Sequence, residues 1–290
     1  MTASVSPQRS SQPSTDSMRS HEPPWLVTIR YVAYFGILFA FAVGAPTYYL
    51  VALVSARGTS PSARRKITRA TIHKGTTLLF HILRITGVLR VQEETLCSAD
   101  QIDVVPGVIV ANHPSMLDAL FFVSRHPQIV CVMKTRLLRW PIIGGFARRA
   151  GYLPFDETPE LWRCAKEACD EGTSILVFPE GTRSPVGGLH QFKRGAARIA
   201  AELDLPLIPY ALQMEPVALG RARPWWKPPG KQIRLRVTRL PIVASTPDDR
   251  ASEDTTAHHM PLDNRRESIR LTESLEVLIN SSLFSSAGLS

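Results

Sequence analysis

Val108-Ile109-Val110-Ala111-Asn112-His113-Pro114-Ser115-Met116-Leu117-Asp118 is an apolar, β-branched run that ends on polar residues and then turns into a helical pattern. Ile175-Leu176-Val177-Phe178-Pro179-Glu180-Gly181-Thr182-Arg183-Ser184 repeats the arrangement about sixty residues later. Short apolar runs closed by turn residues read as buried strands. Further strand candidates are Val88–Val91, Ile129–Met133, Tyr152–Phe155, Leu207–Leu212 and Ile233–Thr238. Between them lie helix-length segments at Ser115–Ser124, Leu138–Arg149, Pro159–Glu171 and Arg194–Leu203, with a terminal one at Asp263–Leu283. Strands alternating with helices predict an α/β layer, a largely parallel or mixed sheet flanked by helices. In open α/β sheets ligands bind outside the carboxyl ends of the strands. Both quoted stretches end there, so they converge on one pocket.

His113 and Asp118 are five positions apart. On one continuous helix that spacing would separate the side chains by about 140°. They meet only if His113 lies in the loop before the helix, which Pro114 at the first helical position would allow. A carboxylate on one ring nitrogen fixes the tautomer and makes the other a better base. Such a base can take the proton of a hydroxyl attacking a thioester carbonyl. Taken alone, the pair also reads as a helix-capping His and an early-turn acid favoured by the helix dipole. Glu180-Gly181-Thr182-Arg183 offers backbone N–H groups, a hydroxyl and a guanidinium able to hold a phosphate. Its glycine allows close backbone approach, although the tetrapeptide alone also fits a turn with a surface ion pair. Lys193 and Arg194 open a helix whose N-terminus favours anions. Lys134, Arg136, Arg139, Arg148 and Arg149 make a basic face for a carrier protein or phospholipid headgroups, or simply a solvated one.

The chain has 290 residues and a net charge of +9. Between Arg57 and Gln92 there is no acidic residue and eight Lys or Arg, which nearly accounts for that excess. Just before it, Tyr31 to Ala56 runs for 26 residues without a charge. That length suffices to cross a hydrocarbon core of ~30 Å at ~1.5 Å per residue. It predicts a membrane-anchoring segment, either a span or a re-entrant hairpin broken at Gly44-Ala45-Pro46, with a buried core helix as the competing reading. The cationic stretch then falls on the cytoplasmic side and carries an amphipathic helix over Ala63–Thr86. With no aromatic-interleaved basic groove, nucleic acid is not the expected partner. The expected division is a disordered tail over 1–24, an anchoring helical region over 25–87, a catalytic α/β domain over 88–243, and a polar loop with a C-terminal helix over 244–290. Trp225-Trp226 reads as interfacial or as loop packing. Cys97, Cys131, Cys164 and Cys169 have neither metal-ligand spacing nor a disulfide framework, so they are expected to be reduced packing thiols and no metal is implied.

The chain resembles the glycerolipid acyltransferases of the lysophosphatidate acyltransferase type. The likeness rests on Asn-His-x4-Asp at Asn112–Asp118, Phe-Pro-Glu-Gly-Thr-Arg-Ser at Phe178–Ser184, and Pro-Leu-Ile-Pro at Pro206–Pro209. It extends over roughly Val88 to Leu212. It implies a membrane-associated enzyme of phospholipid biosynthesis, moving an acyl chain from acyl-CoA or acyl-carrier protein to a lysophospholipid hydroxyl with no further cofactor. His113 would be the base and Asp118 its partner. Glu180, Gly181 and Arg183 would belong to the acceptor-phosphate site; Thr182 and Lys193 are candidate binding residues on their own chemistry. One position departs from the family pattern: Gly151-Tyr152-Leu153-Pro154-Phe155-Asp156-Glu157 has Glu157 where the family carries a phosphate-binding Arg. Either Arg148 or Arg149 supplies that charge, or the acceptor is not an ordinary lysophosphatidate. A transacylase or lipid hydrolase using the same dyad, and a non-catalytic lipid-binding protein, are the competing readings. No Gly-x-Ser-x-Gly elbow marks a nucleophilic serine.

Overall fold

The computed structural model describes residues 24–55, 57–96, 106–156, 158–221, 226–227, 230–243 and 262–285. The expected tail, most of the polar loop over 244–262, Cys97, Trp225 and Glu157 lie outside them.

Seven strands form one mixed sheet. They are β1 (Leu89–Thr95), β2 (Val108–Ala111), β3 (Ile129–Met133), β4 (Leu153–Pro154), β5 (Ser174–Val177), β6 (Leu207–Glu215) and β7 (Ile233–Arg239). Their order is β1-β7-β6-β2-β5-β3-β4, parallel throughout except between β6 and β7. β2 sits at the centre, with Val110 opposite Val177 of β5 on one side and Pro209 of β6 on the other. All four β2 residues are buried because both faces of the sheet are covered. Ile109 and Ala111 join Leu176 and Ile208 in a core with Phe121 and Phe122 of α3 (Leu117–Arg125) and Phe80 of α2 (Pro61–Ile85). Val108, Val110, Ile175 and Val177 face the opposite core. That core is built with α6 (Pro159–Asp170), α7 (Gly195–Leu203) and α8 (Leu262–Ser285). Burial pushes the Cys131 thiol up to about 12, which suits a packing residue; Cys164 and Cys169 are also free thiols.

Two helices were not read correctly from the sequence. The segment expected as one helix over Leu138–Arg149 is α4 (Thr135–Leu138) and α5 (Ile143–Ala150), broken at Pro141, whose ring cannot sit in a helix interior. α3 begins at Leu117 and not at Pro114, so residues 112–116 are a loop. The long apolar run is one helix, α1 (Pro24–Ser55), which continues through Pro46 and does not fold into a hairpin there. Among the described residues no helix is long and apolar enough to cross a membrane. α1 nevertheless exposes large apolar side chains along its length, among them Trp25, Val32, Phe39, Leu50 and Val54. Its Tyr49 packs edge-on against Phe146 of α5. Gly145 makes that approach possible, since a Cβ there would lie 2.8 Å from the Tyr49 ring.

α2 is tied to α6 by charge. Arg65 Nη2 lies 2.7 Å from Glu171 Oε1, Arg69 bonds the other oxygen of Glu171, and Arg65 Nη1 lies 3.0 Å from Glu167. Burial pushes the Glu171 carboxyl up, but hydrogen bonds from Arg65, Arg69 and Ser62 outweigh that and bring it down to about 2.

Candidate active site

The loop between β2 and α3 brings the expected pair together. His113 Nδ1 lies 3.0 Å from Asp118 Oδ2, and the Ser115 backbone N–H donates to that same oxygen at 2.7 Å. Asp118 is fully buried in the first turn of α3, while His113 keeps about a fifth of its side chain exposed. Burial raises the Asp118 carboxyl above its ordinary 3.8, against the lowering pull of His113 and Ser115. The imidazole is also stacked on Phe178 at the end of β5, with ring centroids 4.1 Å apart and planes 17° from parallel. One ring nitrogen is held by the carboxylate and the plane is fixed by the phenyl ring. Nε2 makes no hydrogen bond among the described residues and stays available.

Glu180 is placed differently from a ligand-binding carboxylate. It is almost fully buried. Its Oε1 accepts from the His113 backbone N–H at 3.0 Å and from the Ser184 hydroxyl, and its Oε2 accepts from the His190 N–H at 2.9 Å. The Ser184 N–H returns a bond to the His113 carbonyl at 2.7 Å. Glu180 therefore fastens the β5 loop to the base loop. Its neighbour Gly181 has φ +66, a conformation that side chains other than glycine's seldom adopt. A Cβ there would also crowd Lys193 Nζ and the Phe155 ring at 3.2 Å.

Arg183 points its Nη1 at the carbonyls of Leu219 and Gly220, at 2.8 and 2.9 Å. The same segment after β6 accepts from Ser115 Oγ at Ala218 O, 2.6 Å, and from the Met116 N–H at Leu219 O. It is a strap across the His113 loop, and Arg183 holds its far side. Thr182 is half-buried beside it. The part played by Asn112 is not legible from its residue type. This buried side chain donates to Leu212 O at 2.9 Å and accepts from Leu212 N at 2.7 Å, extending the β2–β6 pairing one residue past the strand end. The only signal was its position next to His113.

A cavity of about 800 Å³ adjoins this site. Phe178, which stacks on His113, is one wall; Phe155, Trp162, Lys193, Arg194 and Arg265 are others. Lys193 Nζ sits 5.1 Å above the Phe155 ring. Arg148 and Arg149 are not part of it; they line a second cavity with Arg139. Lys134 and Arg136 line neither.

The arrangement is a buried carboxylate, an oriented imidazole and a cationic, partly aromatic chamber at the strand ends. The family model described as Acyltransferase matches residues 90–213, which spans every one of these residues except Arg265 and the Ala218–Gly220 strap. A chloroplastic 1-acyl-sn-glycerol-3-phosphate acyltransferase of Brassica napus is 36% identical over 125 residues, 41% of this chain and 35% of that protein. The 1-acyl-sn-glycerol-3-phosphate acyltransferase of Helicobacter pylori is 32% identical over 148 residues, 49% of this chain and 60% of its own length. The chain thus spans between about a third and three fifths of these two relatives. The crystal structure of the 1-acyl-sn-glycerophosphate acyltransferase PlsC from Thermotoga maritima has the same fold, with a TM-score of 0.61 at 20% identity, covering 92% of this chain and 99% of that one.

Proposed function

We propose, from the match of residues 90–213 to the family model described as Acyltransferase, that this chain is an acyltransferase that moves an acyl group from a thioester to the hydroxyl of a lysophospholipid such as lysophosphatidate, in phospholipid biosynthesis. The observation that carries this reading is the His113–Asp118 contact of 3.0 Å, with a fully buried carboxylate and an unused Nε2. Nε2 takes the acceptor's hydroxyl proton as the oxygen attacks the thioester carbonyl. The tetrahedral intermediate collapses by breaking the C–S bond, and the imidazolium returns its proton to the departing thiol. Asp118 stabilises the imidazolium between these two transfers. Direct attack by the hydroxyl needs no covalent acyl-enzyme.

Lys193, Arg194 and Arg265 give the adjoining cavity the charge to accept the phosphate-bearing part of a substrate. Glu180 and Arg183 support the reaction from their places in the scaffold: one fixes the His113 backbone and the other fixes the strap. Acyl-CoA and acyl-carrier protein are both suitable donors, since each presents a thioester on a phosphopantetheine arm.

The apolar side chains exposed along α1 would seat the molecule on a bilayer, as an interfacial helix does. The acid-free segment over 57–92 then belongs on the cytoplasmic side. An enzyme seated this way draws its acceptor directly from the membrane.

Incubating the purified full chain with radiolabelled acyl-CoA or acyl-carrier protein and a panel of lysophospholipids tests the reading. Label should enter one lysophospholipid with equimolar thiol release. Release of free fatty acid at the same rate without any acceptor would turn the assignment to a hydrolase.

A further inference from the structure

A second cavity, about 510 Å³, lies where the start of α2 meets α5 and α6. Seven arginines and three glutamates line it, and no residue of the His113 loop or of Phe178–Ser184 does. Three of the arginines are matched within the wall: Arg65 and Arg69 to Glu171, and Arg163 to Glu167. Arg64, Arg139, Arg148 and Arg149 have no carboxylate partner among the described residues; Arg64 and Arg148 donate only to the backbone carbonyls of Thr59 and Leu138.

Part of the arginine lining is buried. Arg69 is 2% exposed, and its Nε has no acceptor among the described residues. The Nε atoms of Arg64 and Arg149 are buried and unmatched in the same way. A buried donor without an acceptor costs about 1–3 kcal/mol, more when it is charged. The four guanidinium groups without a carboxylate partner leave the wall with a net positive charge that an anion in the cavity would balance. The N-terminus of the 25-residue α2, with Pro61 in the cavity wall and no acid in its first turn, adds positive potential. Guanidinium groups in this number match the several oxygens of a phosphate ester.

We propose that this cavity is a phosphate-ester site separate from the His113 pocket. Its position favours a lipid source. α1 ends at Ser55 beside exposed Leu50, Val51 and Val54, and the chain enters the cavity wall a few residues later at Pro61. An anionic phospholipid whose tails lie along α1 would present its headgroup there. The site does not depend on the proposed reaction, because it shares none of that reaction's residues.

The test uses the full chain with phosphatidylcholine vesicles, with and without phosphatidylglycerol, read by cosedimentation. Inorganic phosphate serves as the soluble probe, read by thermal unfolding. Arg64→Gln and Arg149→Gln, singly and together, address the cavity. Arg84→Gln, an exposed cation in the last turn of α2 and outside the cavity, is the control. Each cavity variant should lose about fivefold in affinity for anionic vesicles, as expected for one cation near an anionic leaflet. The control should lose far less, and phosphate should raise the unfolding midpoint of the parent but not of the double variant. Loss of phosphate protection with unchanged vesicle binding would support the site and make its ligand a soluble phosphate, overturning the headgroup. Equal losses in Arg84→Gln and the cavity variants, or no phosphate effect together with unchanged vesicle binding, would overturn the site. If the double variant fails to fold, Arg139→Gln at the exposed rim carries the same comparison.

Discussion

At the scale of single residues, Asp118 and Glu180 are two buried carboxylates with opposite duties. Asp118 meets the imidazole, and burial raises its pKa above the ordinary 3.8. A raised folded-state value means that the fold gains from a protonated Asp118 at low pH and loses that gain as pH rises through it. At neutral pH the buried charge is therefore a net cost. Asp118→Asn should leave thermal stability equal or higher while activity falls by on the order of 10² or more, because the imidazole loses its orienting charge. A fall in both together would assign Asp118 to the fold alone. Glu180→Ala strands the Ser184 hydroxyl and the His190 N–H and leaves the His113 N–H only Ser184 Oγ as an acceptor. It should cost about 2–4 kcal/mol in denaturant unfolding and lower kcat with little change in KM. A raised KM at unchanged kcat would instead make Glu180 a substrate ligand. The His113–Asp118 pair was legible in the sequence because both residues sit in one short block whose chemistry needs those side chains. The duties of Glu180, Arg183 and Asn112 were not, since, apart from the Ser184 hydroxyl, their partners are backbone groups between 10 and 100 positions away. No side-chain pattern announces a backbone donor or acceptor brought in by the fold.

Among the elements, β2 and β3 match their expected bounds and β5 is shifted by one residue, because strands covered on both faces are uniform apolar runs; β6 continues three residues past its expected end at Leu212, through Gln213-Met214-Glu215, where that run stops. The helix over Leu138–Arg149 was misread because its apolar pattern continues across Pro141. The Trp140-Pro141 step carried the missing signal, since a residue before proline is pushed away from helical geometry. Gly144 lies just past that break, and a Cβ there would collide with the Leu138 backbone carbonyl. Gly144→Ala should destabilise by about 1–3 kcal/mol, seen as a lower Tm; an unchanged Tm would mean that α4 and α5 can separate freely. The α2–α6 tie has its own pH signature. Glu171 is held at about 2 against an ordinary 4.5. A lowered folded-state value gives stability that is complete above about 4.5 and fades as pH falls towards about 2. Thermal unfolding of Glu171→Gln should show a flatter dependence across that window than the parent. Parallel curves would remove Glu171 from the acid transition.

For the whole molecule, the sheet is the device that joins the His113 loop to the helical cover. Its strand ends carry the His113 loop, the Glu180 loop and the strap. Its helical cover carries α1 with an apolar surface and α2 with the cations. The uncharged run was legible as an apolar segment, but its length alone did not decide among a span, a re-entrant hairpin and a helix packed on the core. That distinction depends on which side chains the rest of the fold covers, as Tyr49 against Gly145 illustrates. Phe39→Asp, on the exposed side of α1, should weaken cosedimentation with neutral vesicles while leaving transfer to a detergent-dispersed acceptor unchanged. Equal vesicle binding would detach α1 from the membrane. The central claim is that His113, oriented by Asp118, is the base for acyl transfer. Single-turnover transfer of labelled acyl chain to a lysophospholipid, compared between the parent and His113→Ala, tests it most directly. His113→Ala should lose about 10²–10⁴ in rate with the fold intact; transfer at the parental rate would remove His113 from the reaction.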